Sequence, residues 1–266
     1  MPDFAANLSF LFQDIAFLDR FEAARAAGFA AVEYLFPYDV PAAELGGRLR
    51  RCGLRQALFN LPPGDWAAGE RGIAVLPGRE PEFAEGVERA IGYAQALGCR
   101  QVHAMAGIPP AGASREAAEG VYASNLRAAA TKLKSHGIRL LIEPINSRDM
   151  PGYFLDTVEQ ARRVIDRVGS DNLFLQMDLY HCQIMSGDLA ERIKANMPVI
   201  RHFQIAGVPG RHEPDVGEIN YPYLFDLIDG LGYEGWIGCE YRPRAGTVEG
   251  LGWARRYGIG RNDGVS

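Results

Sequence analysis

The chain is 266 residues long and 47% hydrophobic, with a formal charge of −5 and an isoelectric point near 5.6. That length is close to the roughly 250 residues of one closed α/β barrel, and the apolar fraction suffices for a sizeable core. The acidic balance argues against nucleic acid or an anionic membrane surface as partner, because either selects a basic stripe.

The chain opens with no Lys or Arg between Met1 and Phe12, so it lacks the charged start of a secretory signal. Short apolar runs of strand length then recur, each followed by a longer stretch with helical spacing. In chain order the expected strands are Phe4–Phe10, Ala30–Phe36, Arg55–Leu61, Arg100–Ala106, Ile138–Ile145, Asn172–Leu179, Val199–Ala206 and Gly235–Tyr241. Two helices are especially clear. After Arg79, apolar residues at Phe83, Val87, Ile91, Ala94 and Leu97 share one face, and Gly98 suits the C-cap. After Asn220, a good N-cap, Pro222 is tolerated in the first turn. That face is Tyr221, Leu224, Phe225, Ile228 and Leu231, stopped by Gly232. No run approaches the roughly 18 apolar residues of a membrane span. Cys52, Cys99, Cys182 and Cys239 are far apart with no CxxC spacing, which reads as reduced thiols in a cytoplasmic protein.

Eight strand–helix units imply parallel strands with helical crossovers. A doubly wound open sheet is the rival. The count of eight, and the lack of a glycine fingerprint after the first strand, favour the barrel. The expectation is a single (β/α)8 TIM barrel over residues 1–258, with a flexible C-terminal tail over 259–266.

The ends of strands five to eight carry the chemistry. They present Glu143, Asp178, Gln204 and Glu240, each in or just after an apolar run. One such residue alone ordinarily caps a helix or meets solvent, and a buried glutamine such as Gln204 often only ties backbone together. Four on consecutive strands form a pattern. A carboxylate buried without a partner costs several kcal/mol, and three at one barrel mouth repel. A divalent cation resolves both problems, and an all-oxygen set suits Mg2+ or Mn2+ better than Zn2+.

Several long motifs resemble the hydroxypyruvate isomerase family of xylose-isomerase-like barrels. They are Gly64-Asp65-Trp66-Ala67-Ala68-Gly69-Glu70-Arg71-Gly72, Leu76-Pro77-Gly78-Arg79-Glu80, Glu143-Pro144-Ile145-Asn146, Gly217-Glu218-Ile219-Asn220-Tyr221 and Gly238-Cys239-Glu240-Tyr241. The resemblance runs from about Phe4 to Trp253. It implies an isomerase interconverting hydroxypyruvate and tartronate semialdehyde by enediolate proton transfer. A sister group isomerises 2-oxotetronates, one carbon longer. The segments Gln101–Gly107, His202–Gly207 and Arg211–Asp215 look more like that sister group. By the same resemblance Glu143 and Glu240 are the acid–base pair, and Glu143, Asp178, Gln204 and Glu240 hold the metal. In related sugar epimerases the Gln204 position is often histidine, which bears on the identity of the metal. His181 corresponds to a histidine that contacts substrate oxygens.

A substrate carboxylate calls for a guanidinium fork. Arg211, in the loop after Gln204, is the first candidate, and Arg71, in the long loop from Pro62 to Gly78, is the second. For both, a solvated loop charge is the plain alternative. Trp66 in that long loop is placed to cover the site or to pack the loop down. Cys182 and Cys239 read as small structural fillers. The expected partner is a small hydroxy-oxo acid, and a homo-oligomer is compatible with the sequence. A barrel nuclease would want several metals and more than the five histidines present. A solute-binding protein would want an export signal and two lobes. A sugar epimerase or an inosose dehydratase are the related-enzyme alternatives.

Overall fold

The computed structural model describes residues 1–260. Within them eight parallel strands close into one barrel in sequence order. They are β1 (Asp3–Asn7), β2 (Ala31–Glu33), β3 (Arg55–Asn60), β4 (Gln101–His103), β5 (Arg139–Ile142), β6 (Leu173–Asp178), β7 (Ile200–Ile205) and β8 (Trp236–Cys239). Closure is made by β1 against β8, with Phe4 paired to Ile237. Every strand overlaps its apolar run but is shorter than it. The reason is that apolar pattern reports burial, not ladder hydrogen bonding. Beyond the strand ends Leu8, Leu11, Ala104, Met105, Ala106 and Ile145 stay buried in the loops of the barrel mouth.

The helices are α1 (Arg20–Ala26), α2 (Ala42–Cys52), α3 (Glu80–Leu97), α4 (Arg115–Lys134), α5 (Val158–Val168), α6 (Leu179–Met185), α7 (Leu189–Asn196) and α8 (Tyr221–Gly230). The two helices read most clearly in the sequence form as expected. α3 buries Phe83, Val87, Ile91, Ala94 and Leu97 and ends on left-handed Gly98. In α8 the Asn220 side chain accepts from the Tyr223 N–H, and Tyr221, Leu224, Phe225 and Ile228 are buried. Leu231 departs from that face: the helix ends at Gly230, and Leu231, as C-cap, is 39% exposed. The last strand is followed by a 3-10 helix (Glu249–Tyr257) instead of an α-helix.

Alternation along the strands sends Phe4, Val32, Phe59, Val102, Leu140, Phe203 and Ile237 into the main core beneath the helices. Inside the barrel, Ala5, Ala31 and Ala57 form a small separate cluster with Trp236 packed against it. Among the described residues no helix is long and apolar enough to cross a membrane, and the four cysteines are free thiols. Of the expected tail, Ile259 is buried and the Gly260 N–H donates to the Ala27 carbonyl at 2.8 Å. Residues 261–266 lie outside the described residues.

Candidate active site

Each of the eight strands has a buried polar residue at its C-terminal end or within one position of it: Asn7, Glu33, Asn60, His103, Glu143, Asp178, Gln204 and Glu240. The rule that singled out the last four strands, a polar residue ending an apolar run, also marks Asn7, Glu33, Asn60 and His103. These four were missed because only one of them, Glu33, is a carboxylate, so no cluster of like charge marks them.

Glu143, Asp178, Glu240 and His181 bring one potential ligand atom each to within 4.8 Å of one another. α6 starts directly from β6, so Asp178 is its N-cap. Asp178 Oδ1 accepts from the Tyr180 N–H at 2.8 Å, which leaves Oδ2 toward the site. One turn later His181 returns over it, with Nε2 3.5 Å from Asp178 Oδ2 and 3.9 Å from Glu143 Oε1. Asn146 sets the tautomer of that histidine. Its Oδ1 accepts from the Asp149 N–H at 2.8 Å, so its Nδ2 faces His181 Nδ1 at 2.6 Å and donates to it. With Nδ1 accepting from Asn146, Nε2 is the donor position of the ring, 3.5 Å from Arg211 Nη2, which suits His181 to face a substrate oxygen.

Glu240 accepts from Arg211 Nη2 at 2.6 Å through Oε2 and from Asn7 Nδ2 at 3.3 Å through Oε1. Glu143 Oε2 lies 3.6 Å from His103 Nδ1. Glu143 Oε1 and Asp178 Oδ2 are buried without any hydrogen-bond partner. A divalent cation is the group that would satisfy both, so the residues present fit a hard metal ion. Gln204 pairs with Asp178 in the β6–β7 register. Its Oε1 accepts from Gln176 Nε2 at 2.6 Å and its Nε2 donates to Glu33 Oε1 at 2.7 Å.

Burial raises the proton affinity of the three carboxyls. Glu240 is pushed up to about 8 and Asp178 to about 6. Glu143 is held well above the usual carboxylate range by burial, then by the charges of Glu240 and Asp178. Burial keeps His181 neutral, with help from the Arg211 charge, and lowers His103 to about 3.

The two candidate arginines are placed differently. Arg211, in left-handed backbone at φ 54°, anchors its N–H on the Gly207 carbonyl at 2.8 Å. Its guanidinium stacks by the rings of Phe10 and Tyr180, at 4.8 and 4.9 Å. It serves the carboxylates: beyond Glu240 it lies 3.6 Å from Asp178 and 3.5 Å from Asp149. Arg71 instead lies 4.1 Å over the Trp66 ring and donates to the carbonyls of Trp66 and Glu70, at 3.2 and 2.8 Å. No carboxylate among the described residues pairs with it. The loop carrying it is pressed against the mouth by two glycines, since a Cβ on Gly107 would collide with the Gly72 carbonyl and one on Gly72 with that of Met105. Trp66 is 38% exposed and packs on Phe36. Arg71, Arg211, His181, Glu143 and Glu240 line one cavity of about 510 Å3, as does Arg242, unnoticed in the sequence. Cys182 and Cys239 are buried thiols, with proton affinity raised by burial.

The family model of xylose isomerase-like TIM barrels matches residues 21–257. The chain belongs to that family. A 2-oxo-tetronate isomerase of Cupriavidus necator is 58% identical over 98% of this chain and the whole of that protein. The hydroxypyruvate isomerase of Escherichia coli is 50% identical over 97% of this chain and the whole of that protein. A solved structure described as an AP endonuclease, family 2, from Brucella melitensis superposes with a TM-score of 0.95 at 52% identity, covering 97% of this chain and 99% of that one. Like its curated relatives, this xylose isomerase-like barrel is an isomerase.

Proposed function

We propose that this barrel isomerises short hydroxy-oxo acids, with the four-carbon 2-oxotetronate as its substrate and Glu143 and Glu240 as the acid–base pair. The carrying observation is the buried trio Glu143, Asp178 and Glu240, with two unpartnered oxygens, beside a cavity that Glu143 and Glu240 line together with His181, Arg71 and Arg211. Chain length of the substrate rests on likeness: the relative at 58% identity is a 2-oxo-tetronate isomerase, against 50% for a hydroxypyruvate isomerase. Conversion of hydroxypyruvate to tartronate semialdehyde is the second reading, supported by that second relative.

Glu143, Asp178, Gln204 and Glu240 would hold Mg2+ or Mn2+, which when bound supplies Lewis-acid stabilisation of the charge developing on the substrate oxygens. One glutamate takes the proton from C3, beside the carbonyl carbon C2. A glutamate returns a proton at C2, while the hydroxyl proton passes from the C3 oxygen to the C2 oxygen. The burial that raises the proton affinity of Glu143 and Glu240 suits both to hold a proton between these steps. His181 donates from Nε2 to a substrate oxygen. Arg211 balances the carboxylates, and Arg71, free of carboxylates and flat on Trp66, takes the substrate carboxylate together with Arg211. Trp66 and Phe10 limit water at the mouth.

The test is turnover in D2O of 2-oxotetronate and hydroxypyruvate, side by side, with Mg2+ and Mn2+. Deuterium on the product carbon is expected from a glutamate relay, and Glu240→Gln abolishes exchange together with turnover. Many turnovers in both directions without solvent deuterium would count for a hydride shift and against this chemistry.

A further inference from the structure

Glu33, which closes β2, is a strand-end carboxylate that the chemistry above does not use. It is 1% exposed and lies three strands round the closed barrel from β7. Its Oε2 is 2.6 Å from His202 Nε2, and its Oε1 accepts from Gln204 Nε2 at 2.7 Å and from Asn7 Nδ2 at 2.9 Å. His202 and Gln204 are two residues apart on β7, hence on one face, and a single carboxylate clamps both across the interior. The bridge needs space, and β8 provides it. Gly238, the register partner of Gln204, has no side chain, and a Cβ there would fall 2.5 Å from the Glu33 carboxyl carbon. Two irregularities aim the parts: the β2–β3 register shifts between Val32 and Glu33, and the β6–β7 register shifts between Leu175 and Gln176, opposite His202.

A carboxylate only accepts hydrogen bonds, so it dictates which end of each amide faces it. Gln204 must turn Nε2 toward Glu33, which leaves Oε1, already accepting from Gln176 Nε2 at 2.6 Å, with its second lone pair as the one position on that side chain able to ligate a hard cation. Asn7 must turn Nδ2 the same way, and its second amide proton then reaches Glu240 Oε1. With Asn7 reversed, its oxygen would face two carboxylates. His202 is fixed in turn, with Nδ1 3.4 Å from Gln101 Nε2.

We propose that Glu33 is a positioning residue of the active site: by accepting from Gln204, Asn7 and His202 at once, it presents the Gln204 oxygen to the metal position and holds Glu240 through Asn7. The ligand set it serves is the one proposed above, so the test has an arm that does not depend on metal. In metal-free protein the Gln204 and Asn7 side-chain amide protons, followed by 15N NMR, exchange slowly with solvent. In Glu33→Gln they exchange at least tenfold faster, while near-ultraviolet circular dichroism stays native. Equal exchange in both proteins overturns the proposal whether or not metal binds.

The metal arm is Mn2+ titration by calorimetry. Loss of such an outer partner weakens binding roughly 10- to 100-fold, and kcat falls more than KM rises. Exchanging the two groups in the double variant Glu33→Gln/Gln204→Glu restores a donor–acceptor pair, so it binds Mn2+ more tightly than Gln204→Glu alone. Additive losses in that cycle overturn the proposal. If Glu33→Gln does not fold, Asn7→Ala, which cuts the link from Glu33 to Glu240 and leaves the Glu33 contacts to Gln204 and His202 in place, is read instead. It lowers kcat about tenfold with KM within threefold, and an unchanged kcat refutes that link. Absence of Mn2+ binding by the parent protein refutes the metal reading, and the exchange measurement still decides the role of Glu33.

Discussion

Replacing Arg211 by alanine tests the electrostatics of the site through pH. In the parent, the guanidinium 2.6 Å from Glu240 Oε2 opposes burial, and Glu240 still titrates near 8. Without Arg211 the folded-state value moves higher, while the unfolded value stays near 4.5. A folded value above the unfolded one means stability falls as pH rises between the two, by about 1.4 kcal/mol per unit. For the parent that fall stops near pH 8, and for Arg211→Ala it continues. Below pH 8 the Glu240 contribution is the same in both proteins, and they differ by the lost packing on Phe10 and Tyr180 and the lost contacts to Asp178 and Asp149. At pH 9.5 the variant carries roughly 2 kcal/mol of additional loss, about 4–8 °C in Tm for a chain of this size. The assay is calorimetric melting of metal-free protein at pH 6.5 and 9.5. A Tm gap of equal size at both values would refute the reasoning, because it would show that Arg211 does not set the charge state of Glu240.

Three more predictions follow from the same geometry. Exhaustive chelation should abolish activity and Mg2+ or Mn2+ should restore it, with saturating metal at about 100 times Kd adding roughly 2.7 kcal/mol of stability; full activity in protein shown metal-free by elemental analysis would exclude the metal. Arg71→Ala should raise KM roughly 10- to 150-fold, the worth of a charged hydrogen bond, with Tm changed by no more than a few degrees because its own bonds go only to backbone carbonyls; an unchanged KM would move the carboxylate to Arg211 or Arg242. Burial lowers His103 to about 3 from 6.5, so its contribution to stability is present above 6.5 and is lost as pH falls toward 3. Relative to His103→Gln, the parent should therefore lose about 3 kcal/mol between pH 7.5 and 4.5, and parallel pH profiles in urea melts would contradict it.

The barrel was legible in the chain because burial leaves a local trace. Each strand of a closed barrel is apolar on its outer face, each helix has a 3.6-residue stripe, and both patterns survive without knowledge of neighbours. The trace blurs where burial and hydrogen bonding part company, as at Met105 and Ala106, which are buried yet beyond β4. Glu143, Asp178 and Glu240 were readable for the same local reason, since a carboxylate at the end of an apolar run needs a partner. Long motifs around Trp66, Glu143 and Glu240 carried the family resemblance. What no local pattern contains is which polar ends meet. Glu33 and His202 are 169 positions apart, and only closure of β1 on β8 puts them across one interior. The same holds for the direction of the Gln204 amide, set by Glu33, and for the proton on His181 Nε2, set by Asn146 35 residues away. Arg211 and Arg71 look alike in sequence, as loop arginines near proposed site residues. Tertiary structure separated them by surrounding the first with Asp149, Asp178 and Glu240 and laying the second on Trp66, because a guanidinium goes where the nearest uncompensated charge or open ring face stabilises it most.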